Sequence, residues 1–95
     1  MSDKKSFVSI VIPHWNNVDI LSECLESISA TDFDSVETIV VDNASTDNSV
    51  VSVRSNYPNV KLIENDKNYG YAGGCNIGAE AASGDLLIFL NNDTM

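Results

Sequence analysis

Four short apolar, β-branched runs set the possibilities for this chain: Phe7–Ile12, Val36–Val41, Val60–Ile63 and Leu86–Leu90 recur at nearly even intervals. Each run is nearly continuous in its apolar character and does not alternate with polar residues. Such runs mark strands covered on both faces, as in a parallel sheet. The segments between them carry helical periodicity. Ile20, Leu21, Cys24, Leu25 and Ile28 make one apolar stripe, with Asn17 placed to cap its N-terminus. Val50, Val53 and Tyr57 make a second, ended by Pro58. Ile77, Gly78, Ala81 and Ala82 make a third, closed by Ser83-Gly84 with the glycine at C′. The predicted order is β-α-β-α-β-α-β, an α/β class with right-handed crossovers. At 95 residues the chain can build one small domain with one sheet and a few covering helices.

Polar and glycine-rich residues gather at one end of these strands. Pro13-His14-Trp15-Asn16-Asn17 follows strand 1, and Asp42-Asn43-Ala44-Ser45-Thr46-Asp47 follows strand 2. Asn65 to Gly74 follows strand 3, and Asn91-Asn92-Asp93-Thr94 follows strand 4. The connections at the opposite ends are plainer. In open α/β sheets ligands bind at the carboxyl ends of strands, so that edge is where chemistry is expected.

Charge limits the partners. Fourteen acidic residues against five basic ones give a net charge of −9, which argues against nucleic acid or an anionic membrane surface. The basic residues Lys4, Lys5, Arg54, Lys61 and Lys67 form no patch. A phosphate ester would therefore need a metal ion to neutralise it. Cys24 and Cys75 lack C-x-x-C spacing and read as small buried thiols in a reducing compartment. No run approaches the roughly 20 apolar residues that span a bilayer, and the polar Met1–Ser6 segment lacks the apolar run expected of a signal peptide. A cytoplasmic location is the expectation.

Several nucleotide-binding schemes fail at strand 1. A dinucleotide fold needs G-x-G-x-x-G there, and a P-loop needs G-x-x-x-x-G-K-[ST]. The first glycine in this chain is Gly70. Asp42, at the end of a buried strand, can accept hydrogen bonds from a ribose or a base, or can simply organise the turn that follows. Ser45, Thr46 and Asp47 read as caps for the next helix. Gly70 and Gly73 allow close approach to a ligand at a helix N-terminus, while Gly78 suits packing on the sheet. Asn91-Asn92-Asp93 offers hard oxygen ligands for Mg²⁺ or Mn²⁺ bridging a diphosphate. His14 reads as an ordinary loop histidine.

Together these segments resemble the GT-A glycosyltransferases of family 2, in a form similar to the branch labelled rhamnosyltransferase-like. The motifs are Val8-Ser9-Ile10-Val11-Ile12-Pro13-x-Trp15-Asn16, then Ile39-Val40-Val41-Asp42-Asn43-x-Ser45-x-Asp47. Asn68-x-Gly70 through Asn76-x-Gly78 follows, and Gly84-Asp85 leads to Phe89-Leu90-Asn91-Asn92-Asp93.

The resemblance implies a Rossmann-like three-layer α/β/α fold with a mainly parallel four-stranded sheet in the order 3-2-1-4. It implies a nucleotide-diphosphate-sugar site made by Pro13, Trp15, Asn16, Asp42, Asn43, Ser45, Asn68, Gly70, Gly73, Asn76, Asn91 and Asn92, with Asp93 as the ligand of Mg²⁺ or Mn²⁺. Sugar would pass by an inverting displacement to a glycan or lipid-linked acceptor, the full-length enzyme working at the inner face of the membrane. Two departures stand out: Asn91 replaces the first D-x-D carboxylate, and Cys75 stands where relatives carry Arg. The chain is expected to be the donor-binding part of a longer enzyme, inactive alone because the catalytic base lies elsewhere. An exposed strand 4 is expected to make it a homo-oligomer. The alternative is a non-catalytic binding or interaction module that reuses the fold.

Overall fold

The computed structural model describes residues 7–30 and 35–91. Its elements are β1 (Val8–His14), α1 (Val18–Ser29), β2 (Val36–Asp42), α2 (Ser49–Asn56), β3 (Lys61–Glu64), α3 (Gly70–Ala81) and β4 (Leu86–Phe89). The strands form one sheet in the order β3-β2-β1-β4, and every neighbouring pair is parallel. Both the fold class and the strand order are as the sequence implied.

The near-continuous apolar runs are explained by two cores, one on each face of the central strands. Ile12 and Val40 pack with Leu21 and Leu25 of α1 and Val53 of α2. Val11, Ile39 and Val41 face the other way, with Ile77 of α3 against them. Side chains alternate faces along a strand, so consecutive residues of β1 and β2 serve both cores. The chain leaves β3 at one edge and returns beyond β1, so the strand order reverses between β1 and β4. Crevices form at such a reversal, outside the carboxyl ends.

Helix α3 lies unusually close to the sheet, and its glycines are the reason. A Cβ on Gly78 would collide with Val11 and come within 3.1 Å of Val41 Cγ2, and one on Gly74 would meet Pro13 Cβ at 2.8 Å. Gly74 and Gly78 are one turn apart, so they give α3 a bare face against β1.

Four local expectations are corrected. Asn17 does not cap α1: it adopts a left-handed conformation with φ 66°, and its side chain makes no capping bond. A capping side chain needs an extended backbone, and here Asp47 Oδ2 accepts the Val18 N–H at 3.1 Å instead. Gly84 does not close α3, which ends at Ala81 with Ala82 extended. Tertiary bonds pull the chain out of the helix there, from Ser83 N–H to Glu37 (2.8 Å) and from Gly84 N–H to Ser9 Oγ (2.8 Å). Gly84 is required for space, since a Cβ would meet Ser9 Oγ at 2.6 Å. Strand 4 is not covered on both faces: Leu86, Leu87, Ile88 and Phe89 are 40–53% exposed. It pairs only with β1 among the described residues, so its apolar run has no second neighbour. Finally, Cys24 and Cys75 are free thiols that are half-buried, not fully enclosed.

Candidate functional site

Three loops meet at the carboxyl edge, and polar side chains knit them together. Beneath the first loop, His14 is 3% exposed at the end of β1, with Nε2 2.9 Å from Ser49 Oγ at the start of α2. The Ser49 hydroxyl in turn donates to Asp47 Oδ1. A hydroxyl has one proton to give, so His14 Nε2 is the donor in its bond to Ser49. Asp47 also takes the Ser49 N–H (2.9 Å) and the Val18 N–H (3.1 Å). Desolvation by the surrounding loops works against its ionisation although the residue is exposed, but these hydrogen bonds and the nearby His14 outweigh it and hold its carboxyl below the usual range.

Asn16 ties the same two loops from above. Its backbone N–H donates to Ser45 Oγ at 2.8 Å. Its Oδ1 accepts the Thr46 and Asp47 N–H groups at 2.8 and 3.3 Å. Asp42 is 2% exposed, and its carboxylate takes the Ser45 N–H at 2.9 Å and the Ser45 hydroxyl at 2.6 Å. In this structure Asp42 therefore organises the turn. Each carboxylate oxygen has a second lone pair for one further donor.

Asn43, 3% exposed, joins the third loop. Its Oδ1 accepts from Asn65 Nδ2 (2.9 Å) and Tyr69 N–H (3.3 Å), and its Nδ2 donates to the Gly70 carbonyl (3.3 Å). Asn68 Oδ1 receives the Gly70 N–H at 2.8 Å and so starts α3. Gly70 itself has φ +78° with open space around it, a conformation that suits glycine.

These loops enclose a shallow cavity of about 140 Å³, lined by Pro13, His14, Trp15, Asn43, Asn68, Gly70 and Tyr71. Trp15 and Tyr71 are 49% and 45% exposed. Gly70 and Tyr71 at the N-terminus of α3 line this cavity, and a helix N-terminus favours negative charge.

Of the residues expected at the site, Pro13, Trp15, Asn43, Asn68 and Gly70 line the cavity. Asn16, Asp42 and Ser45 form the frame behind it. Gly73 is not among the residues that line the cavity; a Cβ added there would meet Tyr69 Cβ at 2.7 Å, so the glycine makes room for Tyr69. Asn76 is exposed on the second turn of α3 and does not line the cavity. Asn91 lies beyond β4 at the same sheet edge, whereas Asn92 and the metal-ligand candidate Asp93 lie outside the described residues. Two lining residues were not among those expected: Tyr71, and His14, which reads in sequence as an ordinary loop histidine but ends β1 and is buried. Placing the start of α3 at Gly70 would have put Tyr71 in its first turn, beside the loops.

Among the described residues no group of three or more His, Cys, Asp or Glu side chains could hold a metal ion. The edge carboxylates Asp42, Asp47, Glu64 and Asp66 are already bonded to Ser45, to Ser49 and Val18, to Arg54, and to Tyr69. No helix among these residues is long and apolar enough to cross a membrane.

A family model described as glycosyl transferase family 2 matches residues 9–95. An uncharacterized glycosyltransferase of Haemophilus influenzae is 35% identical over 86 residues, spanning 90% of this chain and 29% of that protein. A mannosyltransferase of Pyrobaculum calidifontis, solved with GDP-Man and Mn²⁺, superposes with a TM-score of 0.85 at 28% identity, covering 96% of this chain and 28% of its own. The S. aureus TarS 1-349 structure in complex with UDP gives 0.83 at 27% identity, covering 92% and 27%. The chain thus spans about three-tenths of the length of these relatives.

Proposed function

Since the chain belongs to glycosyl transferase family 2, we propose that it is the donor-binding part of a glycosyltransferase that uses a nucleotide-diphosphate sugar. The observation that carries this reading is the cavity between Trp15 and Tyr71 at the carboxyl ends of the strands. An exposed aromatic ring beside a shallow polar cavity suits a nucleobase, which stacks on such rings. Asn68 and Asp42 would supply hydrogen-bond partners to base or ribose, and the N-terminus of α3 favours the negative charge of the donor.

The diphosphate extends toward β4, where Asn91 and Asn92 precede Asp93. One carboxylate with phosphate oxygens and waters is a donor set that Mg²⁺ or Mn²⁺ accepts, and Asp93 is the residue assigned to hold it. When bound, the ion would stabilise charge on the leaving diphosphate. Transfer is a single inverting displacement. The acceptor hydroxyl oxygen bonds to the anomeric carbon, the bond to the diphosphate oxygen breaks, and the hydroxyl proton passes to a general base. The edge carboxylates Asp42, Asp47, Glu64 and Asp66 are engaged in the hydrogen bonds and ion pair described above, so none of them is assigned as the base, which we place outside the described residues. The acceptor is a glycan or lipid-linked glycan, and the rhamnosyltransferase-like motif form supports a hexose-type donor sugar. The enzyme acts in the cytoplasm, at the inner face of the membrane. The exposed β4 edge supports self-association of this chain.

Calorimetric titration with UDP, dTDP and GDP, with and without Mn²⁺ or Mg²⁺, tests the reading. Binding of at least one, strengthened by the ion, is expected. In Asp93→Ala the metal-dependent part of diphosphate binding disappears. An intact metal response in that variant would remove Asp93 from the site.

A further inference from the structure

Trp15 is displayed by a regular alternation of anchors. His14 is bonded to Ser49, Asn16 to Ser45, Thr46 and Asp47, and Val18 to Asp47. The residues between these anchors, Trp15 and Asn17, are exposed. All three anchors reach the stretch from Ser45 to Ser49, which runs from the β2–α2 loop into the first residue of α2, 29 to 35 residues away in sequence. Among the described residues Trp15 makes no hydrogen bond of its own, so its orientation depends on its neighbours.

Asn16 is the central anchor, and its chemistry is specific. Two consecutive backbone N–H groups, from Thr46 and Asp47, converge on its Oδ1, which has two lone pairs to accept them. Its own N–H goes to Ser45 Oγ, and Nδ2 reaches Thr46 Oγ1 at 3.5 Å. Its φ of 55° is left-handed, a conformation asparagine tolerates better than most residues.

We propose that Asn16 is a positioning residue: its side-chain oxygen locks the β1–α1 loop onto the β2–α2 loop and thereby sets Trp15 as a wall of the donor cavity. It acts through Trp15 and does not touch the donor. This inference rests on the donor-site reading above, but its mechanical half concerns the free protein and stands apart from any ligand.

Trp15 is the sole tryptophan of the chain, so its fluorescence reads the loop directly. Asn16→Gly keeps the left-handed backbone and removes the amide. Asn16→Asp keeps an oxygen acceptor for the Thr46 and Asp47 N–H groups but has no amide N–H to offer a ligand. In Asn16→Gly, Trp15 emission shifts to the red, acrylamide quenching rises, and nucleoside diphosphate binding weakens roughly tenfold. Asn16→Asp restores emission, quenching and binding together. Asn16→Ala, which removes the same side-chain acceptor of the Thr46 and Asp47 N–H groups without glycine's added backbone freedom, moves Trp15 in the same direction and carries the test if Asn16→Gly fails to fold.

Two results would overturn the inference. One is weakened binding in Asn16→Gly with Trp15 emission and quenching unchanged. The other is Asn16→Asp with native Trp15 fluorescence and impaired binding, because the amide would then be a direct contact. If no nucleoside diphosphate binds the native chain, the donor-site reading fails, and unchanged quenching in Asn16→Gly would still refute the role of Asn16.

Discussion

Nε2 of His14 and Oγ of Ser49 lie 2.9 Å apart although 35 residues separate them in sequence. The contact joins the end of the central strand to the first turn of α2. Because the Ser49 hydroxyl donates its hydrogen bond to Asp47, the three residues form a directed chain from imidazole to carboxylate. Ser49→Ala leaves a buried ring nitrogen without this partner and removes a hydrogen bond from Asp47. A loss of about 1–3 kcal/mol is expected, measured by urea denaturation. An unchanged midpoint would show that the chain contributes nothing to the fold.

Acid should weaken the molecule through Asp47 and Glu37. Glu37 is held below the usual carboxylate range by the Ser83 N–H and the Ser9 hydroxyl, which outweigh the effect of its partial burial, with help from the Ser83 hydroxyl and Lys61. For Asp47 desolvation opposes ionisation, and the hydrogen bonds from Ser49 and Val18 with the nearby His14 outweigh it and hold the carboxyl low. For both, the folded pKa lies below the unfolded value of roughly 4, so the unfolded chain binds more protons as pH falls past it. Their stabilisation is complete above that pH and is lost as the pH descends through the folded values. Thermal unfolding from pH 7 to pH 2 should show the decline, and Glu37→Gln together with Asp47→Asn should flatten it. An equally steep decline in the double variant would assign acid sensitivity to other groups.

Two substitutions at loops and helix should act in opposite directions. Gly78→Ala drives a methyl into Val11 and Val41 and is expected to cost about 1–3 kcal/mol. Ala44 adopts a left-handed φ of 62°, which strains a residue with a Cβ, so Ala44→Gly should gain up to about 1 kcal/mol. Chemical denaturation of both variants checks the pair. A stabilising Gly78→Ala would contradict the close approach of α3.

The strand pattern was legible because β1 and β2 are buried on both faces, which forces continuous apolar runs. Helix α1 was legible because Leu21 and Leu25 face one core. What escaped is tertiary in origin. The cap on α1 comes from Asp47, and the exit from α3 is set by Glu37 and Ser9, all distant in sequence from the helix they shape. The site shows the same division. Trp15 and Asn68 could be placed by their loops, but nothing local distinguishes Asn43 or Asn16, whose side chains brace the loops, from asparagines that meet a ligand. Tyr71 was hidden because its glycine-rich surroundings, Gly70 to Gly74, read as loop and yet form the first turns of α3.

The exposed edge at β4 predicts association. Among the described residues Leu86 to Phe89 pair on one side only, with β1, and expose apolar side chains, an arrangement that invites a second copy. Light scattering over a concentration series should show a species larger than the monomer, and Leu87→Lys with Ile88→Lys should return it to monomer. A strictly monomeric native chain at high concentration would refute edge pairing.

Trp15 fluorescence offers the most direct test of the central claim. Titrating the native chain with UDP, dTDP and GDP in the presence of Mn²⁺ should quench or shift Trp15 emission saturably for at least one of them, and Tyr71→Ala should weaken that response. The same ligand should raise the melting temperature, with roughly 2.7 kcal/mol of added stability at a hundred times Kd. No change in Trp15 emission and no thermal shift with any of the three would contradict a nucleotide-sugar site at this edge.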